Sequence, residues 1–304
     1  MLETSDSVIY RRKLKRSVTL WRTAAIVLLV VVATGYFSKI TNPFIENGYI
    51  ARLEIDGVIL KNRERLEVIA GLAKKDDVKA VILRIDSPGG TFVGGEMLYK
   101  ELRKLALAKP LVAVMDGVAT SAAYMTSIAA DHIVAHEGTL TGSVGVILQT
   151  ADITNLLEAL GISPRAFKSG QLKGEPSLVH PLSKKTVKIT EGLVRELYVI
   201  FRDMVIQRRG LDIIDATRFE DGRVFTGRQA LEAGLIDEIG GEREAIVWLE
   251  RKQKIRSGLS VTTIDFQSGL GSFWMRLKNF SRKLVLSKGL ILDGFLSLWQ
   301  PQVT

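Results

Sequence analysis

The run Val78 to Ile85 is almost continuously apolar, broken only by Lys79 and Arg84, and Asp86-Ser87-Pro88-Gly89-Gly90-Thr91 follows at once. A short apolar run closed by proline and glycine is the pattern of a strand buried on both faces. Further strand-like runs are Ile50 to Ile59, around Asp56-Gly57, then Leu111 to Met115, His132 to Ala135 and Val144 to Leu148. Helical patterns alternate with them at Arg63 to Ala73, Gly94 to Leu107, Ser121 to Ala130 and Ile153 to Leu160. Alternation of this kind predicts an α/β domain built from parallel units.

Beyond these units, Ser183 opens an amphipathic stretch that keeps helical spacing to Arg209 and stops at Gly210. Thr226 caps a helix over Gly227 to Ala233, and Arg243 to Lys252 reads as a further helix. At the other end, Arg11, Arg12, Lys13, Lys15, Arg16 and Arg22 precede the apolar run Thr23 to Phe37. Charge followed by hydrophobe is an export signature. Counted from Val18, with Trp21 at the interface and Arg22 snorkelling, the run approaches the roughly 20 residues that span a bilayer. Ala33-Thr34-Gly35 would suit a cleaved signal peptide, but the long leading segment favours a retained anchor. The expected organisation is a cytoplasmic basic segment at 1–17, a transmembrane anchor at 18–37, a linker at 38–49, a globular domain at 50–262 and a tail at 263–304. That tail mixes aromatic and basic residues, which suits oligomer packing or a membrane surface equally. By the positive-inside rule the domain lies across the membrane from the basic flank.

Composition narrows the chemistry. The 304 residues are 46% hydrophobic, enough for a large core. With no cysteine, thiol nucleophiles, disulfides and thiolate zinc sites are excluded, and three scattered histidines argue against a metal site or cofactor. Much of the positive charge behind the net +9 is at the N-terminus and comes with no aromatic-interleaved basic stripe, so nucleic acid is not an expected partner. Gly89, Gly90, Gly94 and Gly95 match neither a dinucleotide fingerprint nor a P-loop.

A serine nucleophile needs a group to take its proton, and in a chain this poor in histidine a lysine is the easiest base to supply. Ser121 stands in Val118-Ala119-Thr120-Ser121-Ala122-Ala123-Tyr124, after a strand and at the start of a helix of small residues. Lys173 stands in Lys168-Ser169-Gly170-Gln171-Leu172-Lys173-Gly174. The glycine turn after Val78 to Ile85 suits an oxyanion hole, in which the Ala122 N–H joins that of Gly89 or Gly90. An isolated serine would be an ordinary helix cap, and a plain strand-to-helix turn would look similar. An ordinary lysine ammonium, near 10.4, keeps its proton at neutral pH, so a base there requires burial worth about 4 kcal/mol for a drop of roughly three units. Glu175 should therefore point away from Lys173. A Ser-His-Asp triad would need His132, His136 or His180 beside Ser121, with His180 the best placed; Asp86 and Asp116 read as turn-capping residues.

In order along the chain, Ala51 to Gly57, Asp86 to Gly90, Ser121 with Tyr124, Leu140 to Ile147, Lys168 to Lys173 and Asp221 to Gly227 resemble the signal peptide peptidase A (SppA) family of serine peptidases, in its short, single-unit, membrane-anchored form. The resemblance runs from about Ala51 to Leu249. It implies a crotonase/Clp-protease-like superhelix of repeated β-β-α units behind one N-terminal transmembrane helix. It also implies Ser121 as nucleophile, Lys173 as general base, Ser143 as the hydroxyl that positions the lysine, Gly89 as an oxyanion donor and Lys168 as a non-catalytic lysine. The family usually has two glycines after the serine, where Ala122 and Ala123 stand here, which would narrow the groove and leave the N–H donors in place. The implied activity is endopeptidase cleavage, through an acyl-enzyme, of signal peptides and other hydrophobic peptides left in the bacterial cytoplasmic (inner) membrane after secretion. The implied assembly is a homo-oligomer in which one subunit's serine meets its neighbour's lysine. Two other readings stand beside it: a catalytically silent membrane scaffold of the same fold, and a crotonase-like acyl-thioester enzyme that would need neither Ser121 nor Lys173.

Overall fold

The computed structural model describes residues 18–33, 48–266 and 296–298, and the chain divides into two units between Asn47 and Gly48. In the first unit residues 18–33 form helix α1, whose Trp21, Leu28 and Leu29 are exposed. Among the described residues no helix is long and apolar enough to cross a membrane, and residues 34–37 of the expected anchor lie outside them.

The second unit is a mixed α/β domain around one eight-stranded sheet. In chain order its elements begin β1 (Tyr49–Asp56), α2 (Arg63–Ala73), β2 (Val78–Ser87), β3 (Gly89–Thr91), α3 (Phe92–Ala108), β4 (Leu111–Thr120) and α4 (Ala122–Ser127). They continue β5 (His132–Ala135), β6 (Leu140–Gly142), α5 (Thr154–Ala159), α6 (Lys184–Arg209), α7 (Ile213–Ala216), β7 (Val224–Thr226), α8 (Gly227–Glu232), β8 (Glu238–Ile239), α9 (Glu242–Lys252) and β9 (Val261–Thr263). A last strand, β10 (Leu296–Leu298), pairs with β3 in a separate two-stranded ribbon.

The sheet order is β7-β6-β4-β2-β1-β9, with β5 joining β4 to β8, and every pairing in it is parallel except β6 with β7. The apolar run Val78 to Ile85 lies near the middle as β2, flanked by β1 and β4. Its alternate residues feed two cores. Val81, Leu83 and Ile85 pack with Ile69 and Leu72 of α2 and Leu98, Leu102 and Leu105 of α3, while Ala80 and Ile82 pack with Ala245 and Leu249 of α9. Burying each such aliphatic side chain stabilises the fold by about 1.5–3 kcal/mol, so the double-sided apolar run is the main anchor of the sheet. Asn62, Thr91, Ser183 and Thr226 cap α2, α3, α6 and α8 through their side chains, the last with a full capping box.

β4 carries the active-site geometry because its two halves have different partners. Val112–Met115 pairs with β5, whereas Val118–Thr120 pairs with β6. Asp116-Gly117, expected to be a turn, lies inside this strand, and Asp86 Oδ1 accepts from the Val118 N–H at 3.0 Å to bridge the irregularity. The expected strand Val144 to Leu148 does not form; the strand lies earlier, at β6, and Ile147 and Leu148 line a cavity instead. At the domain's end Phe266 packs on the core and lies 5.3 Å under the Arg65 guanidinium. Of the expected tail, residues 267–295 and 299–304 lie outside the described residues.

Candidate active site

Ser121 occupies the one-residue junction between β4 and α4, with φ 56° and ψ −119°. Positive φ is costly for a residue with a Cβ, and such strain persists only where surrounding structure enforces it. The enforcement here is visible. The Ser121 N–H donates to the Gly142 carbonyl at 2.8 Å, its own carbonyl accepts from Met125 N–H at 2.9 Å, and the residue is 1% exposed. Since β4 pairs with β6 through Thr120 and Gly142, Ser121 and Ser143 each stand one residue beyond that pair. Ser143 also has positive φ, 50°, and its N–H donates to the Arg223 carbonyl at 2.9 Å, so the residue just before β7 holds it from the far side. Two strained serines at the ends of neighbouring parallel strands thus share one edge of the sheet.

The glycine turn comes to the same edge. The Thr120 hydroxyl donates to the Pro88 carbonyl at 3.0 Å, tying the turn to the residue before the nucleophile. Gly90 is required sterically, because a Cβ there would meet the Ile59 carbonyl oxygen at 1.9 Å. Gly89 has φ 110°, and its N–H donates to the Ser87 hydroxyl at 3.1 Å, a neutral partner that an oxyanion would have to displace. Gly95 lets α3 approach α4, since a Cβ on it would lie 3.0 Å from that of Ala122. Tyr124 is fully buried and donates its hydroxyl to the Leu235 carbonyl at 2.8 Å, locking α4 against the chain after α8. Along β3, Gly89–Thr91 pairs antiparallel with Leu298, Ser297 and Leu296. The strand beside the glycine turn therefore accepts an extended segment edge to edge.

Lys173 lies elsewhere, in the excursion between β6 and α6. Its N–H donates to the Gly170 carbonyl at 3.1 Å, and its side chain is exposed. The structure thus brings Ser121, Ser143, Ala122 and Gly89 to one edge and leaves Lys173 on a solvent-facing turn. The two lysines of the motif differ sharply. Lys168 donates to Glu175 at 2.6 Å, whereas Lys173 makes no ion pair among the described residues. Glu175, expected to point away from Lys173, is held by Lys168, which keeps its carboxyl below the usual carboxylate range. Phe167, beside Lys168, is 99% exposed.

The histidines are engaged in other places. His132 stacks on Trp248 with centroids 4.7 Å apart and approaches Glu238 at 3.0 Å, and His180 contributes to the field on Glu175. Asp116 pairs with Arg84 at 2.6 Å, and with Asp86 on the Val118 N–H both aspartates have structural work. Among the described residues no group of His, Asp and Glu is placed to hold a metal ion.

Sequence reasoning missed the supports. Thr120, Ser87, Thr141 and Arg223 fix the edge through hydrogen bonds to backbone or from it, and only the position of Thr120 beside Ser121 hints at this in the sequence. It also missed a cavity of about 1030 Å³ that opens beside Ser143, walled by Val144 and Ile147 on one side and by Val194 and Tyr198 of α6 on the other.

Residues 103–256 match peptidase family S49. A candidate protease of Synechocystis sp. is 37% identical over 201 residues, covering 66% of this chain and 72% of that protein. A candidate signal peptide peptidase SppA of Enterococcus faecium is 31% identical over 256 residues, covering 78% and 74%. The chloroplastic serine protease SPPA of Arabidopsis thaliana is 29% identical over 288 residues, 88% of this chain and 41% of the longer plant protein. With half of its length matched and the strained Ser121 edge in the matched region, the chain belongs to peptidase family S49, among the SppA-type serine peptidases.

Proposed function

We propose that this peptidase is a membrane-anchored serine endopeptidase that works through a Ser121/Lys173 dyad and degrades signal peptides remaining in the membrane after secretion. The domain is read as a crotonase/Clp-like superhelix, held by one N-terminal helix, on the extracytoplasmic side of the bacterial cytoplasmic membrane. The observation that carries the reading is the backbone of Ser121, strained at a strand-to-helix junction beside Ser143 and the glycine turn. Strain of this kind concentrates at reacting groups.

The chemistry follows from the parts. The substrate lies extended along Gly89–Thr91, in the manner of Leu296–Leu298, so that main-chain hydrogen bonds carry affinity and alternate side chains carry preference. Ser121 Oγ attacks the scissile carbonyl carbon while the neutral Lys173 amine takes the hydroxyl proton. The oxyanion is held by N–H groups of Gly89 and Ala122. Collapse breaks the C–N bond, the lysine ammonium returns its proton to the leaving amine, and water then hydrolyses the acyl-serine with the same amine as base. Ser143 accepts from the neutral amine and orients it without adding negative charge.

An exposed Lys173 favours one arrangement in particular: a homo-oligomer in which the lysine turn of one subunit enters the edge of its neighbour. Phe167 and Leu172 stand exposed on that turn, and the cavity beside Ser143 has apolar walls at Val144, Ile147 and Val194 with charged residues such as Glu191 and Arg195 among its lining. Docking would exclude water from the amine, which a solvent-facing turn in one chain does not. The test is purified full-length protein with a synthetic signal peptide and a serine-directed fluorophosphonate. Wild type should release fragments and take the label at Ser121. Lys173→Ala should release none, and labelling of Ser121→Ala at wild-type level would overturn the assignment.

A further inference from the structure

The excursion that presents Lys173 is closed by one ion pair. Lys168 Nζ donates to Glu175 Oε1 at 2.6 Å, with the two side chains only 22% and 12% exposed. Inside that clasp the chain turns through Gly170 and Gly174, the latter at φ +78°, and Lys173 stands near the apex. Glu175 N–H donates to the Leu172 carbonyl at 3.3 Å, so the carboxylate and the amine belong to the same turn, two residues apart. The groups acting on the Glu175 carboxylate are Lys168 first, then the Ser177 N–H and His180.

A base is spoiled by a nearby opposite charge, because the charge stabilises its protonated form. Glu175 is the carboxylate two residues from Lys173 in the same turn, the nearest in sequence that could pair with the amine if Lys168 did not hold it. Closing the turn is one consequence of the pair; the other lies in which carboxylate it engages. We propose that Lys168 is a positioning residue: it occupies the Glu175 carboxylate, keeps it from pairing with Lys173, and so leaves that amine able to lose its proton. The inference rests on the Lys173 reading above, and it holds whether the amine serves its own chain or a neighbour.

The experiment is the pH profile of kcat/KM for the full chain in detergent micelles with an internally quenched apolar peptide. Wild type is compared with Lys168→Met, Lys168→Arg, Glu175→Gln, the double variant Lys168→Met/Glu175→Gln, and Lys173→Ala. In Lys168→Met the freed carboxylate turns to Lys173, and the rising limb moves toward alkaline pH by about one unit. At a fixed pH below the limb that is about a tenfold loss, recovered by raising the pH. Lys168→Arg keeps the wild-type limb. The double variant returns to it, since the carboxylate that did the harm is gone, and Glu175→Gln alone shows no alkaline shift. The inference is overturned if Lys168→Met loses rate at every pH with its limb unmoved, or if the double variant is as impaired as Lys168→Met. Either result with an inactive Lys173→Ala sinks this role alone, whereas an active Lys173→Ala sinks the lysine base and this role with it.

Discussion

Replacing Ser121 with glycine should make the protein inactive yet more stable than the alanine replacement. Ser121 holds φ 56° and ψ −119°, a region that glycine enters freely and other residues do not. Backbone strain at such a position costs up to about 3 kcal/mol. Against its release stand the extra chain entropy of glycine, about 1 kcal/mol, and the loss of a buried methyl-sized group, about 0.8 kcal/mol. With the strain at that upper value, the balance is a gain of about 1 kcal/mol for Ser121→Gly over Ser121→Ala, since both variants lose the hydroxyl and only alanine keeps a Cβ in the strained region. For a domain of this size that is about 2–4 °C in Tm. Scanning calorimetry on both variants at matched protein concentration reads it directly, the matching being needed because association shifts Tm by mass action. A glycine variant that melts at or below the alanine variant would refute the claim that folding enforces strain at Ser121.

The remaining expectations concern the support of the site and its assembly. Tyr124→Phe removes a buried hydroxyl that donates to Leu235 and leaves that carbonyl unsatisfied, so stability falls by about 1–3 kcal/mol while kcat stays near wild type; a large fall in kcat at intact folding would be the wrong result. Burial raises the Tyr124 phenol above its ordinary 10.0, so the unfolded chain ionises first and wild-type stability declines as pH rises past that value. Tyr124→Phe should lack that contribution in urea titrations between neutral and alkaline pH. Mixing inactive Ser121→Ala with inactive Lys173→Ala under conditions that exchange subunits should restore about a quarter of wild-type activity if each site combines two chains in a ring, and none if each site is built within one.

Local signals were legible wherever one segment carried its own instructions. The expected helix Arg63 to Ala73 and strand His132 to Ala135 coincide with α2 and β5, one set by a cap and helical periodicity, the other by a short apolar run between turns. Ser121 at a strand-to-helix junction was legible for the same reason. What escaped depends on distant partners. Gly89–Thr91 has no strand propensity of its own and becomes β3 by pairing with Leu296–Leu298, while Asp116-Gly117 reads as a turn until Asp86 accepts the Val118 N–H and lets β4 continue to β6. Val144 to Leu148 carries strand-like residues but borders a cavity, so propensity there found no neighbouring strand. The motif around Lys173 is a local pattern, whereas where that residue lies relative to Ser121 depends on a turn whose exposure no local pattern encodes.

The bond from Ser143 N–H to the Arg223 carbonyl has a consequence for the life of the molecule. Ser121, Ser143 and the glycine turn all leave the ribosome well before β7, which closes the sheet beside β6 at Val224–Thr226. Until that late strand arrives, nothing clamps Ser143 from its outer side, and the cutting machinery is a set of unassembled pieces. Order of synthesis thus sets the order of assembly: the edge at Ser143 is completed only once the chain around Val224–Thr226 has been made.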